Sequence, residues 1–373
     1  MGYTVDQLIR VAKRDKNKRR NYLLVNPLQG KHVPVSPTVS LAMMKDLAAK
    51  AHIENGEKCT VIGFAETATA IGACLASELG NGSNYIQTTR ERLEGKEIIA
   101  FKEEHSHAVA QSICKESLRR ALSHSDKLVI VDDEFSTGHT LVNALRAMRE
   151  EVCFSDGVDI EAISVVNRMS EENLEKAKNE GISFTYEASF PNDKYVDVVN
   201  EVDTVSAEAP VCDGFRNASI VHCKVAVPNP RIGSRSDKYR AACLQAAMAI
   251  LEKVDADLSG ASRVLVLGTE ECMYPSLVLG SAIEERYPDI IVRSHATTRS
   301  PIGISSENGY PIQNGARLRS LYDPERTTFL YNLSSYDLAI AITDAKGDIA
   351  PGVEDLSCAL AMHGCPKTMV AVV

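Results

Sequence analysis

The distribution of apolar and polar residues along the first half of the chain predicts alternating strands and helices. Short apolar runs favour buried strands, and apolar residues three or four positions apart favour helices. The predicted strands are 22–25, 58–63, 85–89, 128–131 and 160–166, with 183–187 as an edge strand. The predicted helices are 4–12, 38–55, 71–79, 108–123, 141–150 and 170–180. Such alternation predicts an α/β fold with a parallel sheet, in which ligands bind at the carboxyl ends of the strands.

The stretch 128–140 carries the densest set of chemical groups. Four apolar residues at 128–131 precede three acids at 132–134, and small or hydroxyl residues at 136–140 lead into a helical pattern. Buried carboxylates are costly unless they are paired, so the acids are expected where the strand leaves the sheet. The predicted layout is therefore a strand, carboxylates, a small-residue loop and a helix.

This layout suits a phosphorylated sugar. The N-terminus of a helix offers unpaired N–H groups and the positive end of a dipole, both of which favour phosphate. The candidate phosphate ligands are Ser136, Thr137, Gly138, His139 and Thr140. The carboxylates of Asp132 and Asp133 suit the vicinal hydroxyls of a ribose, and they could also help to place a metal ion.

The same residues carry a resemblance to a known family. The segment 129–140 resembles the motif with which type I phosphoribosyltransferases bind phosphoribosyl pyrophosphate (PRPP): an apolar strand, two acids, then Thr-Gly and a final Thr. It departs from that pattern at His139, where a small residue is usual. A nucleotide-binding strand of the Walker B type also ends in acids, but the sequence lacks the Gly-x-x-x-x-Gly-Lys-Ser/Thr loop that would accompany it.

The resemblance implies further site residues and a Mg²⁺ ion held by Asp132 and Asp133. The loop after strand 58–63 matches the pyrophosphate loop of the family, and an arginine follows the next strand. The implied pyrophosphate ligands are Ala65, Glu66, Thr67, Ala68 and Arg90. The family also has a mobile loop near 102–107, whose candidate catalytic residues here are Lys102, Glu104, His105 and His107. A plain strand-to-helix turn at 65–68 and a metal site at His105 and His107 remain as alternatives.

Short sequences of the first half of the chain recur in the same order in the second half, offset by about 205 residues. Asn26-Pro27 is repeated as Asn229-Pro230, and Thr88-Thr89-Arg90 is repeated as Thr297-Thr298-Arg299. Two apolar segments also match, 61–66 with 265–271 and 128–132 with 338–344. We therefore expect a second α/β domain that is a diverged repeat of the first, and chance matches between short apolar strands are the alternative. It lacks a convincing Asp-Asp…Thr-Gly-x-Thr motif, so it should not bind PRPP in the same way.

Two further groups of cationic or titratable residues lie outside the main motif. Lys31 and His32, in a loop rich in Pro and Gly, are candidates for contacting substrate, although a surface loop without a ligand explains them equally well. Arg299, Ser300 and Arg231 are candidates for an anion site in the second half, because arginine forks favour carboxylate or phosphate. Ordinary surface charge is the alternative for these three.

The string Thr298-Arg299-Ser300-Pro301 supplies a second resemblance. The whole chain resembles proteins encoded with tellurite-resistance (Ter) stress operons, in which a phosphoribosyltransferase domain precedes a TRSP domain named after this tetrapeptide. The resemblance implies a place in a biosynthetic module, with partners from that module. Residues 1–205 are then the phosphoribosyltransferase-like domain and residues 206–373 the TRSP domain.

Length and composition add limits. A chain of 373 residues favours two domains, and its net charge of −9 argues against a general nucleic-acid binder. The ten cysteines form no C-x-x-C pair, so we expect reduced thiols in a cytoplasmic protein. No signal peptide is recognised and no apolar run is long enough for a membrane span. Type I relatives are often dimers, so the resemblance also implies a homodimer.

The sequence therefore predicts a Mg²⁺-dependent transfer of ribose 5-phosphate from PRPP to a nucleobase-like nitrogen acceptor. The rival is a catalytically inactive regulatory protein that senses PRPP or a nucleotide. A third hypothesis is an enzyme that uses both halves, with the TRSP half binding the acceptor or a second product.

Overall fold

The computed structural model describes residues 2–15, 20–80, 82–101, 110–152, 154, 157–190, 199–212 and 217–373. The chain divides into two units built from interleaved segments. The first unit contains Met1–Thr4, Met43–Asn192 and Pro228–Ala241, and the second contains Val5–Ala42, Asp193–Val227 and Ala242–Val373. A single cut along the sequence does not describe these units, and the predicted domain boundary between residues 205 and 206 stays a prediction.

The described strands and helices are as follows. The strands are β1 (Arg10–Lys13), β2 (Tyr22–Val25), β3 (Cys59–Gly63), β4 (Asn84–Gln87), β5 (Ile98–Phe101), β6 (Gln111–Cys114), β7 (Lys127–Phe135), β8 (Asp159–Asn167), β9 (Ile182–Ser189), β10 (Asn217–His222), β11 (Ser234–Arg235), β12 (Arg263–Gly268), β13 (Ile291–Ala296), β14 (Gly315–Arg319), β15 (Thr327–Tyr331), β16 (Leu338–Thr343) and β17 (Lys367–Val372). The helices are α1 (Val5–Leu8), α2 (Pro37–Ala48), α3 (Thr69–Leu79), α4 (Lys115–Leu122), α5 (His139–Val152), α6 (Glu171–Lys178), α7 (Ser236–Leu258), α8 (Tyr274–Arg286) and α9 (Ala350–Met362), with a 3₁₀ turn at Pro230–Ile232.

The first unit is organised around a sheet with the strand order β11-β4-β3-β7-β8-β9. Strands β4, β3, β7, β8 and β9 run parallel, and the two-residue strand β11 pairs antiparallel with β4 at the edge. The apolar run 128–131 is fully buried, as expected for a strand covered on both faces. Leu141, Leu145 and Met148 of α5 belong to the same core cluster as Ile62 and Ile130 of the sheet. Packing of α5 therefore fixes the segment between β7 and this helix.

The second unit has a parallel sheet with the order β10-β17-β16-β12-β13. Listed from β4 in the first unit, the order of the parallel strands is β4-β3-β7-β8-β9. Listed from β13 in the second unit, the order is β13-β12-β16-β17-β10. Each unit also contains a two-stranded antiparallel hairpin, β5-β6 or β14-β15, between the corresponding strands. The predicted α/β fold class is confirmed, and the second unit repeats the order of four strands of the first. The fifth strand differs, because β9 follows β8 along the chain whereas β10 precedes β12.

Two predicted helices were wrong because backbone pairing with a neighbouring strand outweighs a short helical pattern. In the predicted helix 4–12, only Val5–Leu8 is helical, and Arg10–Lys13 pairs antiparallel with β2. In the predicted helix 108–123, Gln111–Cys114 pairs with β5, and the helix begins at Lys115. The second difference creates a hairpin beside the candidate site.

The expectation that every cysteine is a reduced thiol was also wrong. Cys212 and Cys358 form a disulfide in the second unit, with their Cα atoms 5.8 Å apart. Spacing along the sequence gave no signal of this pair, because the two residues are 146 positions apart. Among the described residues, no helix is long and apolar enough to cross a membrane.

Candidate functional site

The candidate site of the first unit lies where the strand order reverses. The chain passes from β3 to its neighbour β4 on one side, and it later places β7 against β3 on the other side. In open parallel sheets, ligands bind outside the carboxyl ends of the strands at such a point. The loop after β3 and the acidic segment of β7 meet there, because the N–H of Phe64 donates to the carbonyl of Val131 over 2.9 Å.

The predicted acids lie within β7 and not beyond its end. Strand β7 pairs with β3 only as far as Val131, where Gly63 is the partner residue. It continues to Phe135 alongside β8 alone. The half-buried Asp132 and Asp133 therefore lie on a strand extension that has lost its neighbour on the β3 side. This extension keeps the carboxylates in a regular backbone while leaving one edge of the strand open for a ligand.

The third acid of the motif has a structural partner. The carboxylate of Glu134 accepts a hydrogen bond from the Arg168 guanidinium at 2.8 Å, and the Arg168 side chain is only 3% exposed. The N–H of Arg168 donates to the carbonyl of Phe135, which ties the end of β8 to the end of β7. A buried ion pair of this kind holds in place the strand extension that carries Asp132 and Asp133.

The predicted phosphate loop has the expected form. Gly138 is buried, has a φ of +79°, and precedes α5, a helix of 14 residues. A Cβ atom at this position would lie 2.5 Å from the sulfur of Met169. The N–H of His139 donates to the hydroxyl of Thr137 over 3.3 Å, and the His139 side chain is exposed. The unusual histidine therefore leaves the backbone of the loop compact, with Ser136 and Thr140 half-buried on either side.

A threonine supports the predicted pyrophosphate loop through hydrogen bonds of its hydroxyl group. The hydroxyl of Thr88 accepts the N–H of Ala65 at 2.8 Å and donates to the side-chain carbonyl of Gln111 at 2.5 Å. Ala65, Glu66 and Ala68 are buried and Thr67 is half-buried, and α3 begins directly afterwards at Thr69. The half-buried Arg90 follows two residues after Thr88. The loop, Arg90 and the acids of β7 thus belong to the adjacent ends of β3, β4 and β7.

Two glycines allow α3 to approach β3 closely. A Cβ atom on Gly72 would lie 2.8 Å from the Cα of Gly63, and a Cβ atom on Gly63 would lie 3.0 Å from the carbonyl oxygen of Ala68. Together with Thr88 and Gln111, these glycines are residues of the site that sequence reasoning missed. Gly63 and Thr88 both stood in segments recognised as repeated, which was the available signal. Gln111 gave none, because its contact depends on the β5-β6 hairpin.

The remaining predicted residues are distributed as follows. Lys102, Glu104, His105 and His107 lie outside the described residues, in the connection between β5 and β6. Lys31 and His32 belong to the second unit, where the buried Lys31 ammonium donates to the carbonyls of Glu270 and Thr297 at 2.8 and 2.9 Å. Burial lowers the pKa of His32 well below its usual value, with a further contribution from Lys31.

The three residues of the predicted anion site are split between the units. Arg299 and Ser300 lie in the second unit, and Arg231 lies in the first. Arg231 is buried in the 3₁₀ turn, where its N–H donates to the Asn229 side chain over 3.0 Å. The Arg299 guanidinium is paired with Glu270 at 2.5 Å. Each of these arginines therefore has a described partner within its own unit.

The donor set of the first site fits Mg²⁺ that is bound together with a phosphorylated substrate. Mg²⁺ is commonly held by one or two carboxylates, with substrate phosphates and water completing six oxygen ligands. Asp132 and Asp133 supply such carboxylates. Within the described part of the chain, no group of three or more His, Cys, Asp or Glu residues is placed to hold a metal by itself.

Two family models match parts of the chain. Residues 8–190 match the family described as "Phosphoribosyl transferase", and residues 229–354 match the family described as "TRSP domain C terminus to PRTase_2". No curated protein is similar enough in sequence to match.

Solved structures are similar to about half of the chain. An adenine phosphoribosyltransferase from Rhodothermus marinus is 15% identical with a TM-score of 0.37, covering 50% of this chain and 96% of its own. The enzyme from Giardia lamblia, solved with 9-deazaadenine, is 18% identical with a TM-score of 0.37, covering 48% and 93%. An orotate phosphoribosyltransferase from Aeropyrum pernix is 16% identical with a TM-score of 0.30, covering 49% and 88%.

Proposed function

We propose, from the two family matches, that residues 8–190 form a phosphoribosyltransferase domain and residues 229–354 a TRSP domain. On this premise, the first unit transfers ribose 5-phosphate from PRPP to a nitrogen atom of a nucleobase-like acceptor and releases pyrophosphate. The observation that carries the proposal is the meeting of the loop after β3 with Asp132 and Asp133 at the reversal of strand order. That position is where an open parallel sheet binds its ligand.

In this proposal, each segment holds one part of PRPP. The loop Ser136–Thr140 and the N-terminus of α5 bind the 5′-phosphate, since backbone N–H groups and the helix dipole favour an anion. Asp132 and Asp133 accept hydrogen bonds from the ribose hydroxyls. In the loop Ala65–Ala68, the first and last N–H groups already donate to Thr88 and to the Phe64 carbonyl. The amides between them and the Arg90 guanidinium bind the pyrophosphate group.

The reaction breaks the bond between the anomeric carbon and pyrophosphate, and it forms a bond from that carbon to the acceptor nitrogen. Negative charge grows on pyrophosphate as positive charge grows on the ribose ring. The amides near Ala65–Ala68 and Arg90 stabilise the first charge, and donors fixed before the reaction act most strongly there. Mg²⁺, when bound through Asp132 and Asp133, would supply Lewis-acid neutralisation of the pyrophosphate.

The residues between β5 and β6 complete the proposal. Lys102, Glu104, His105 and His107 would close over PRPP and exclude water, which otherwise competes as a nucleophile. His105 or His107 would exchange a proton with the acceptor, because the ordinary pKa of histidine lies close to neutrality.

The resemblance to Ter-operon proteins supports a cellular setting. We propose that the chain works in the cytoplasm in a stress-linked biosynthetic module, with partners from that module, and that it forms a homodimer. Light scattering during gel filtration tests the dimer, since a mass of one chain would contradict it.

The deciding experiment is calorimetric titration of PRPP with Mg²⁺ into the wild type and an Asp132→Asn/Asp133→Asn variant. The matched control is Asp126→Asn/Asp159→Asn, which makes the same charge change at the opposite ends of β7 and β8. We expect binding to the wild type and the control and none to the site variant. Equal binding to all three proteins would contradict the proposed ribose and metal site.

Release of pyrophosphate then separates enzyme from sensor. Each purine or pyrimidine base is added with PRPP, and pyrophosphate is measured over time. Turnover with one base, lost in the Asp132→Asn/Asp133→Asn variant, identifies the acceptor. Binding of PRPP without release of pyrophosphate in the presence of any base would favour the regulatory protein that senses PRPP.

A further inference from the structure

The second unit repeats one detail of the proposed pyrophosphate loop. In the first unit, the hydroxyl of Thr88 accepts the N–H of Ala65 at 2.8 Å. In the second, the hydroxyl of Thr297 accepts the N–H of Glu270 at 3.0 Å. Both threonines directly follow the strand beside the central one, β4 or β13. Glu270 therefore stands in the second unit where Ala65 stands in the first.

At this position the first unit has the methyl group of Ala65, and the second unit has the buried carboxylate of Glu270. Glu270 is only 1% exposed. Its Oε2 atom lies 2.5 Å from Nε of Arg299 and 2.9 Å from a terminal nitrogen of Arg326, and Oε1 accepts the hydroxyl of Ser320. Two guanidinium groups and a hydroxyl converging on two oxygens form the donor arrangement that a phosphate would also use.

The backbone at Glu270 has a positive φ angle, which is uncommon for a residue other than glycine. Its φ is +49°, a left-handed conformation that residues other than glycine adopt at a cost of about 1 kcal/mol or more. Such a conformation persists only when surrounding contacts hold it. Here the contacts to Arg299 and Arg326 hold the carboxylate inside the loop.

The loop that corresponds to the phosphate loop carries a second carboxylate. Thr137 lies two residues before the first residue of α5, and its hydroxyl accepts the N–H of His139. Asp348 lies two residues before the first residue of α9, and its carboxylate accepts the N–H of Ala350 at 3.0 Å. An acid thus caps the helix N-terminus that a phosphate would otherwise approach, and negative charge there repels a phosphate.

We propose that the second unit is a copy of the phosphoribosyl site whose two anion positions are filled by its own carboxylates, Glu270 in the pyrophosphate position and Asp348 in the phosphate position. The assignment of these positions rests on the proposed function of the first unit. The predicted anion ligand Arg299 then serves Glu270 and not a substrate. The chain has one PRPP site, and the second unit holds a closed anion site that opens when the Glu270 carboxylate is removed.

The test is calorimetric titration of pyrophosphate into four full-length proteins: the wild type, Glu270→Ala, Glu270→Ala/Arg299→Ala and Glu271→Ala. Glu271 is the matched control, because it is equally buried at 1% and is farther from Arg299, at 3.6 Å. We expect one site in the wild type and in Glu271→Ala, two sites in Glu270→Ala, and a return to one in the double variant.

The outcomes separate this inference from the proposed function. No site in the wild type but one in Glu270→Ala would support the closed site and contradict the pyrophosphate loop of the first unit. Two sites in the wild type, no gain in Glu270→Ala, or the same gain in Glu271→Ala would overturn the inference. So would a gained site that survives Arg299→Ala.

A second variant covers failure of Glu270→Ala to fold. Glu270→Gln keeps the size of the side chain and an oxygen for Ser320, but it removes the nearest carboxylate charge from both guanidinium groups. The remaining carboxylates are more distant, Glu271 at 3.6 Å from Arg299 and Asp323 at 4.0 Å from Arg326. A ligand that binds only the folded state raises the melting temperature. We expect pyrophosphate to raise the melting temperature of Glu270→Gln more than that of the wild type. An equal rise in both proteins would overturn the inference.

Discussion

Substitution of Gly138 by alanine tests the geometry of the proposed phosphate loop. Gly138 has a φ of +79°, and an added Cβ atom would lie 2.5 Å from the Met169 sulfur. Two separate costs are therefore expected. One is the left-handed backbone, and the other is a collision with a buried neighbour.

The contribution of each cost to the unfolding free energy can be estimated from the structure. A left-handed conformation costs an ordinary residue roughly 1–2 kcal/mol. Extra volume in a packed region typically costs about 1–3 kcal/mol, and the low end applies here because the Met169 sulfur belongs to a flexible side chain. The expected loss in unfolding free energy is thus about 2–3 kcal/mol. If the loop binds phosphate, PRPP affinity should fall at least tenfold, since a loss of about 1.4 kcal/mol in binding corresponds to that factor.

Urea unfolding and PRPP titration measure the two effects. Gly56→Ala is the matched control, since Gly56 has a φ of +90° with no atom within 4 Å of an added Cβ. It should lose only the backbone part, about 1–2 kcal/mol, and keep PRPP affinity. Met169→Ala carries the cost of its own cavity, because Met169 is buried in the core. The collision part is therefore measured as a double-mutant cycle, in which Gly138→Ala should cost less in the Met169→Ala background than in the wild type. Equal stability and affinity of Gly138→Ala and the wild type would refute the argument.

Three further outcomes are expected. Thr88→Val leaves the buried amide of the loop after β3 without its hydroxyl acceptor. The unfolding free energy should therefore fall by about 1–3 kcal/mol, and PRPP should bind more weakly. Unchanged PRPP affinity would show that this threonine does not support the site. Burial lowers the pKa of His295 to about 4 and that of His32 well below its usual value. The unfolded chain therefore binds protons that the folded chain does not, so urea unfolding should show stability falling as the pH drops from about 6.5 to 4, with His295 contributing at most roughly 3 kcal/mol. His295→Asn should remove that part of the fall and leave the part due to His32, and His124→Gln, at an exposed position, is the control. Reduction of the Cys212–Cys358 disulfide should lower unfolding free energy by roughly 2–4 kcal/mol, and a double Cys→Ser variant that unfolds like the oxidised protein would contradict this.

The sequence by itself determined the parallel α/β class and the core of the candidate site. A buried apolar run followed by acids and small residues is a local pattern, and its physical meaning depends only on strand period and helix termini. Residues 136–140 therefore lie in the loop and helix start that the pattern predicts, whereas Asp132 and Asp133 lie inside a strand that is longer than predicted. The repeat was also visible, because matching strands leave matching apolar runs.

Tertiary structure alone decided the contacts between segments that are distant along the chain. The support of Ala65 by Thr88 and Gln111 depends on a hairpin whose second strand was predicted as part of a helix. The arginine Arg231 and the lysine Lys31 each joined the unit built mainly from the other half of the sequence. Residue patterns record which face of an element is buried, but they do not record which element covers it. Partners of buried charges, such as those of Glu270, follow from packing and could be read only from the fold.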